Sequence, residues 1–310
     1  MSSSRSGRQV TAGHDTPGAA IDSPGMPRPV ESTFTLNGHR LAYTAYGEGP
    51  RVTVLIHGLL LSQRMHAELA KALAGRGNRV ITLDLLGHGR SDRPRDMWRY
   101  SMSTFGAQAI ALLDHLEVDE AVVLGTSLGA NAALEAAALA PERLRGMVIE
   151  MPVLDNALLG SALAFTPLLV ALTFGEPVMR VIGAGARRVP RLRWQLDILL
   201  DTVRQDPAPG AAVLQGLFFG RTAPHRSERR TLETPALVIG HEHDIVHPFS
   251  DAGMLAEELP NARLLRASSI LELRVSPERL TGEIAGFLDE CWRPRTAKRP
   301  SRGARGRAAS

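Results

Sequence analysis

Cysteine is nearly absent: Cys291 is the only one, so no intrachain disulfide is possible and a reducing, cytoplasmic compartment fits the chain. Lysine is almost as scarce, with Lys71 and Lys298 set against 34 arginines. Aromatic residues make up 5% of the 310, which leaves any core to Leu, Val, Ile and Ala. Residues 1–30, rich in Ser, Gly and Pro, lack the apolar h-region of a secretory signal and read as a disordered leader. Acidic residues are missing from the other end. The tail from Arg293 carries seven basic residues and no acid, and without it the net charge of +4 becomes −3. The basic character is therefore that of a tail over 293–310 rather than of a folded basic face. Such a tail can touch nucleic acid or anionic lipid, but its composition is that of a solvated, disordered end, so no specific nucleic-acid partner is expected.

What remains is ample for a core: 44% of the residues are hydrophobic, enough for one large α/β domain with an insertion or for two modest ones. One uncharged run, Ala157 to Phe174, approaches the length of a membrane span. Gly160 and Pro167 interrupt it, so a buried or surface-docking helical pair is expected and no transmembrane span. Around the Asn37-Gly38 pair two alternating runs form a hairpin signal. Apolar strands and amphipathic helices then alternate: "VTVLIHG", a helix over Met65 to Leu73, "RVITLDLLGHGRSDRP", a helix capped at Ser103, "EAVVLG", an Ala-rich helix stopped by Pro141, and "LRGMVIEMP". From about Val153 to Arg230 the chain is helical, apolar and broken by Pro and Gly. Alternation resumes with "PALVIG", "DAGMLAEEL", a buried strand "ARLLRA" and a helix opening at Pro277. This order means a mostly parallel sheet covered on both faces, interrupted by an inserted cap.

The sharpest motif is Gly125-Thr126-Ser127-Leu128-Gly129, a G-x-S-x-G nucleophile elbow between an apolar strand and a helix. A tight turn there exposes the serine Oγ above the sheet, glycines leave room for the close approach, and the helix N-terminus favours negative charge.

With "LIHG", "DLLGHGRSDRP", "APERLRGMVI" and "PNARLL" in the matching places, the chain from about Ser32 to Trp292 resembles the α/β-hydrolase superfamily. The resemblance implies an α/β-hydrolase fold over 31–292: an eight-stranded, mostly parallel sheet flanked by helices, with a helical cap at about 153–230. It also implies a Ser–acid–His triad in that chain order and needs no cofactor. The oxyanion donors would be the backbone N–H groups of Leu128 and Leu59, with His57 a structural turn residue. Asp244, just past a strand and followed by Pro248, stands where the family keeps its acid, although Gly240 falls one residue early; Glu150 and Asp155 are the alternatives.

The base departs from the pattern. The family's Gly-His pair sits some seven residues before the proline opening the final helix, and here that position is Ile270, preceded by Ser269. Isoleucine cannot accept a proton. His247, on the same loop as Asp244, is the leading replacement, with His241, His243 and His225 as others. The cluster His241, His243, Asp244 and His247 also admits a metal-dependent hydrolytic site, though its spacing does not match the zinc motif of the metallo-β-lactamase fold. Three functions remain open on residues alone. One is a cofactor-independent serine hydrolase acting on a small apolar ester or related acyl substrate under an aliphatic cap. Another is a non-catalytic protein of the same fold that binds an apolar ligand or partner, and the third is the metal hydrolase. The residues do not set an oligomeric state.

Overall fold

A type of hairpin that only a few residues permit starts the sheet. Asn37 and Gly38 both take left-handed backbone angles, φ 50° and 79°, which matches the twist of the flanking strands β1 (Val30–Leu36) and β2 (His39–Tyr46). The computed structural model describes residues 28–190, 200–201, 203–242, 244 and 246–294. The expected leader up to residue 27, the Arg-rich tail from residue 295, and His243 lie outside the described residues.

Six further strands complete an eight-stranded sheet: β3 (Val52–Ile56), β4 (Arg79–Asp84), β5 (Ala121–Thr126), β6 (Leu144–Glu150), β7 (Ala236–His241) and β8 (Ala262–Ala267), in the order β1-β2-β4-β3-β5-β6-β7-β8. β2 pairs antiparallel with β1 and β4, and every other pairing is parallel. The central strands β3, β5 and β7 are buried at every residue, which is why they read as continuous apolar runs without alternation. β8 differs from the expected buried strand. It is the sheet edge, largely exposed apart from Ala267, and its arginines 263 and 266 protect that edge.

Helices α1 (Ala67–Ala74), α2 (Met102–His115) and α3 (Leu128–Leu139) follow β3, β4 and β5. The expected cap of α2 at Ser103 gives way to Ser101, whose hydroxyl accepts from the Thr104 N–H at 3.1 Å. Between β6 and β7 the chain forms α4 (Leu158–Phe174), α5 (Glu176–Ala186) and α6 (Pro207–Phe219). Here too the structure corrects the expectation, since Gly160 and Pro167 sit inside one continuous 17-residue helix, α4. The ring of Pro167 removes a single backbone bond, which packing of Phe165, Leu168 and Leu172 against α6 offsets. With the turn before it, Asp155–Phe174 is long and apolar enough to cross a membrane. The inserted stretch that contains it leaves from β6 and returns to β7, which pair with each other from Met147↔Ala236 to Glu150↔Ile239, so the whole insertion starts and ends at one edge of the sheet.

The fold closes with α7 (Phe249–Glu258) and α8 (Glu278–Cys291). Asp251 of α7 is fully buried and accepts the N–H groups of Leu154, Asn156 and Ala157 at 2.7–3.0 Å. Those bonds fasten the start of the inserted helices to the helix that follows the β7 loop.

Candidate active site

Leu59, Ser127, Asp244 and His247 lie just past the carboxyl ends of β3, β5 and β7, the edge where open α/β sheets place their sites. Three non-glycine residues there adopt left-handed angles: Leu60 after β3 (φ 56°), Ser127 after β5 (φ 55°) and Met151 after β6 (φ 56°). Each costs on the order of 1–3 kcal/mol, a cost that packing around it must override. At Ser127 the packing is visible. A Cβ on Gly125 would come within 1.9 Å of the Gly129 carbonyl oxygen, and one on Gly129 within 2.2 Å of that of Ile56. Only glycines let strand, turn and helix close this far, and the turn delivers Ser127 at the N-terminus of α3.

Ser127 Oγ lies 2.9 Å from His247 Nε2. The other ring nitrogen, Nδ1, is 2.8 Å from Asp244 Oδ2. Asp244 spends its second oxygen on its own loop, accepting the N–H groups of Val246 at 2.9 Å and His247 at 3.0 Å. This is an Asx-type turn; it fixes the Asp244 carboxylate and the His247 imidazole within four residues of chain. Because a carboxylate only accepts, Nδ1 carries the proton and Nε2 is left to accept from the Ser127 hydroxyl. Side-chain exposure is 15% for His247 and 10% for Asp244, so the pair is screened from bulk water yet reachable.

The other candidates go elsewhere. Asp155 is exposed and faces Arg229 at 3.8 Å, and His225 sits exposed at the start of the turn Arg226–Arg229. His57 is buried, accepts the Leu85 N–H on Nε2 at 3.1 Å and donates from Nδ1 to the Gly58 carbonyl at 2.8 Å. Burial lowers its pKa and keeps it neutral. His241 donates from Nδ1 to the Ser269 carbonyl at 2.7 Å and turns Nε2 toward Glu150. His241 and His247 therefore face different partners, and among the described residues no group of three His, Cys, Asp or Glu side chains gathers as a metal site would require.

Leu59 and Leu128 line one cavity with Ser127, of about 260 Å³. Leu59 lies in a turn closed by the Leu61 N–H on the Gly58 carbonyl at 3.2 Å. Neither the Leu59 nor the Leu128 N–H bonds another group among the described residues. The rest of the wall is largely apolar, including Met102, Val153, Phe165, Leu214 and Leu217, with Ser161 and Thr222 as its polar members.

Residues 52–179 match the family model for the alpha/beta hydrolase fold. The enol-lactonase from Burkholderia xenovorans LB400 superimposes with a TM-score of 0.67 at 22% identity, over 83% of this chain and 100% of that one. The chain has the alpha/beta hydrolase fold. Among relatives by sequence, an uncharacterized protein of Mycobacterium bovis is 25% identical over 82% of this chain and 80% of its own. The 2-hydroxymuconate semialdehyde hydrolase of Pseudomonas putida is 29% identical over 60% and 67% respectively.

Within this fold the segment around Ile270, where the resemblance implied a histidine, has another occupation. Ile270 is 45% exposed, and four residues later Arg274 reaches inward to Glu150, with Nη1 at 3.1 Å and Nη2 at 2.8 Å from its two oxygens. Nη2 also meets Thr126 Oγ1 at 3.1 Å, and Thr126 donates to the same carboxylate. Glu150, the alternative acid, is thus fully buried and committed to Arg274 rather than to His247. Burial alone would raise its pKa, but the Arg274 guanidinium and the hydrogen bonds from His241, Arg274 and Thr126 hold it well below the usual carboxylate range. The Glu150 carbonyl meanwhile accepts the Ser127 N–H at 2.9 Å. Arg274 therefore braces both residues that precede and support the elbow. Sequence reasoning missed it. The available signal was a lone acid ending a buried strand, which needs a cationic partner from somewhere.

Proposed function

We propose that the protein is a cofactor-independent serine hydrolase that cleaves a carboxylic ester or related acyl bond bearing a compact apolar acyl group. The observation that carries this reading is the continuous relay from Asp244 Oδ2 through the His247 ring to Ser127 Oγ, at 2.8 and 2.9 Å. Asp244 holds the tautomer. His247 Nε2 takes the hydroxyl proton as Oγ attacks the carbonyl carbon, and the charge that gathers on the carbonyl oxygen meets the N–H groups of Leu128 and Leu59. The imidazolium then gives its proton to the leaving alkoxide, releasing an alcohol and leaving an acyl-serine. A water deprotonated by the same Nε2 attacks that ester, yielding the carboxylic acid and free Ser127.

The inserted helices act as the cap in this reading, because α4 and α6 supply Phe165, Leu214 and Leu217 to the cavity beside Ser127. At about 260 Å³ the cavity falls just under the roughly 300–1,000 Å³ of common ligand pockets, which favours short acyl groups. Relatives named as a hydrolase and a lactonase support bond hydrolysis as the reaction class. The test is turnover of p-nitrophenyl esters with short, medium and long acyl chains. The expected result is activity that peaks at the shorter chains and vanishes in Ser127→Ala. Turnover in the folded Ser127→Ala variant equal to wild type would overturn the proposal.

A further inference from the structure

The helical layer over the cavity has an outer face that water should not favour. Within α4, Leu159, Leu163, Val170 and Phe174 are spaced i, i+4, i+11 and i+15, which puts them on one stripe of the helix. They are 49–81% exposed. The opposite side of α4 packs through Phe165, Leu168 and Leu172 on α6. Val178 and Val181 on the neighbouring α5 and Phe219 at the end of α6 are likewise each at least 63% exposed. A helix that is apolar all round is normally buried in protein or in lipid, and a contiguous exposed patch of this kind marks an interaction surface.

Two further observations identify the occupant. α4 contains no charged residue at all, and the carboxylates near the patch are already neutralised from within. Glu176 pairs with Arg180, Asp206 with Arg95 and Arg180, and Asp201 with Arg64 and Arg204. Arg187 and Arg188, just past α5, form no ion pair with any described residue; among these the Arg187 guanidinium donates to the Arg204 carbonyl, at 2.8 Å. The surface is thus apolar with a cationic margin, the pattern of an element lying in the headgroup region of an anionic bilayer. Arg293 accepts a hydrogen bond from Arg145 at the start of β6, away from the carboxyl ends of the strands.

We propose that the α4–α5 face docks onto an anionic lipid bilayer, with α4 lying along the interface. The docking does not depend on the chemistry at Ser127, so Ser127→Ala should bind as wild type does.

The test is flotation of the full-length protein with vesicles of phosphatidylcholine, alone or mixed with phosphatidylglycerol. Wild type is expected to float with the mixed vesicles. The double variant Leu163→Gln/Phe174→Gln should partition at least about tenfold less, with unchanged melting temperature and unchanged hydrolysis of a soluble short-chain ester. Arg187→Gln/Arg188→Gln should lose at least about fivefold on the anionic vesicles only. Wild type that stays unbound overturns the proposal. So does a Leu163→Gln/Phe174→Gln variant that floats like wild type, which would move the binding to the tail. A lipid-free dimer that the same variant splits in sedimentation would also overturn it, as the face would then join two copies of this chain.

Discussion

Ser127 Oγ and His247 Nε2 stand 2.9 Å apart across 120 residues of sequence, and the histidine comes from the loop that carries Asp244 instead of from the segment after β8. Asp244 and His247 thus share one short Asx-type clip. If this clip is the catalytic pair, His247→Ala should lower kcat by about 10²–10⁴ or more, with KM little changed, because the cavity wall does not include His247. Steady-state kinetics on a short-chain ester measures both.

Asp244 has two tasks that two substitutions separate. In Asp244→Asn one oxygen can still accept the Val246 and His247 amides, but the tautomer of the ring is no longer fixed; activity should fall by about 10⁴ with a small change in melting temperature. Asp244→Ala loses the loop bonds as well, and its melting temperature should fall below that of the Asn variant. Equal melting temperatures for the two would remove the loop-holding role.

Restoring the family's customary histidine should not restore activity. Ile270 is exposed, and its segment is pinned by Arg274 on Glu150 and by the Ser269 carbonyl on His241. The double variant His247→Ala/Ile270→His is expected to match His247→Ala alone in kcat/KM. Recovery of more than about tenfold would mean that this segment can approach Ser127.

Arg274→Ala strands a buried carboxylate. Breaking such a pair from one side typically costs about 3–5 kcal/mol, to be read from the denaturation midpoint. Activity should fall with it, because Thr126 and the Ser127 N–H rest on the same glutamate. Glu150→Gln combined with Arg274→Met, which leaves no buried charge, should recover part of the loss.

The same cluster sets a stability profile with pH. Glu150 is depressed in the folded state, so its contribution is complete above the unfolded carboxylate value near 4.5 and is lost as pH falls toward the lower folded value. His241 runs the other way. Its burial would lower the pKa, but hydrogen bonding and charge from Glu150 win and raise it above 6.5. Its contribution is therefore full below 6.5 and is lost as pH rises through the folded value. Thermal melts should show a decline below about pH 4.5 that Glu150→Gln removes, and a decline above about pH 6.5 that His241→Gln removes.

The sheet and the elbow were legible because local signals and tertiary packing agree there. Asn37-Gly38, the buried β3, β5 and β7 runs and the paired glycines around Ser127 each admit one structure. The exposure of β8 was not legible, since an edge strand and a central strand share β-branched and aliphatic residues, and only its neighbours decide. Pro167 misled for a related reason: contacts from α6 hold α4 together where propensity would break it. The brace between Glu150 and Arg274 joins residues 124 apart in sequence, and no periodicity reports such a pairing. At the site, the elbow and the Asp244–His247 spacing could be read directly. That His247 reaches Ser127 depends on how far the β7 loop turns back over the sheet edge, which sequence does not state.

The most direct test of the central claim, that His247 is the base for Ser127, is the rate at which a fluorophosphonate adds its mass to the Ser127 peptide. The account predicts rapid labelling of wild type, none in Ser127→Ala, and labelling slowed by at least about 100-fold in a folded His247→Ala. Equal labelling rates in wild type and His247→Ala would contradict it.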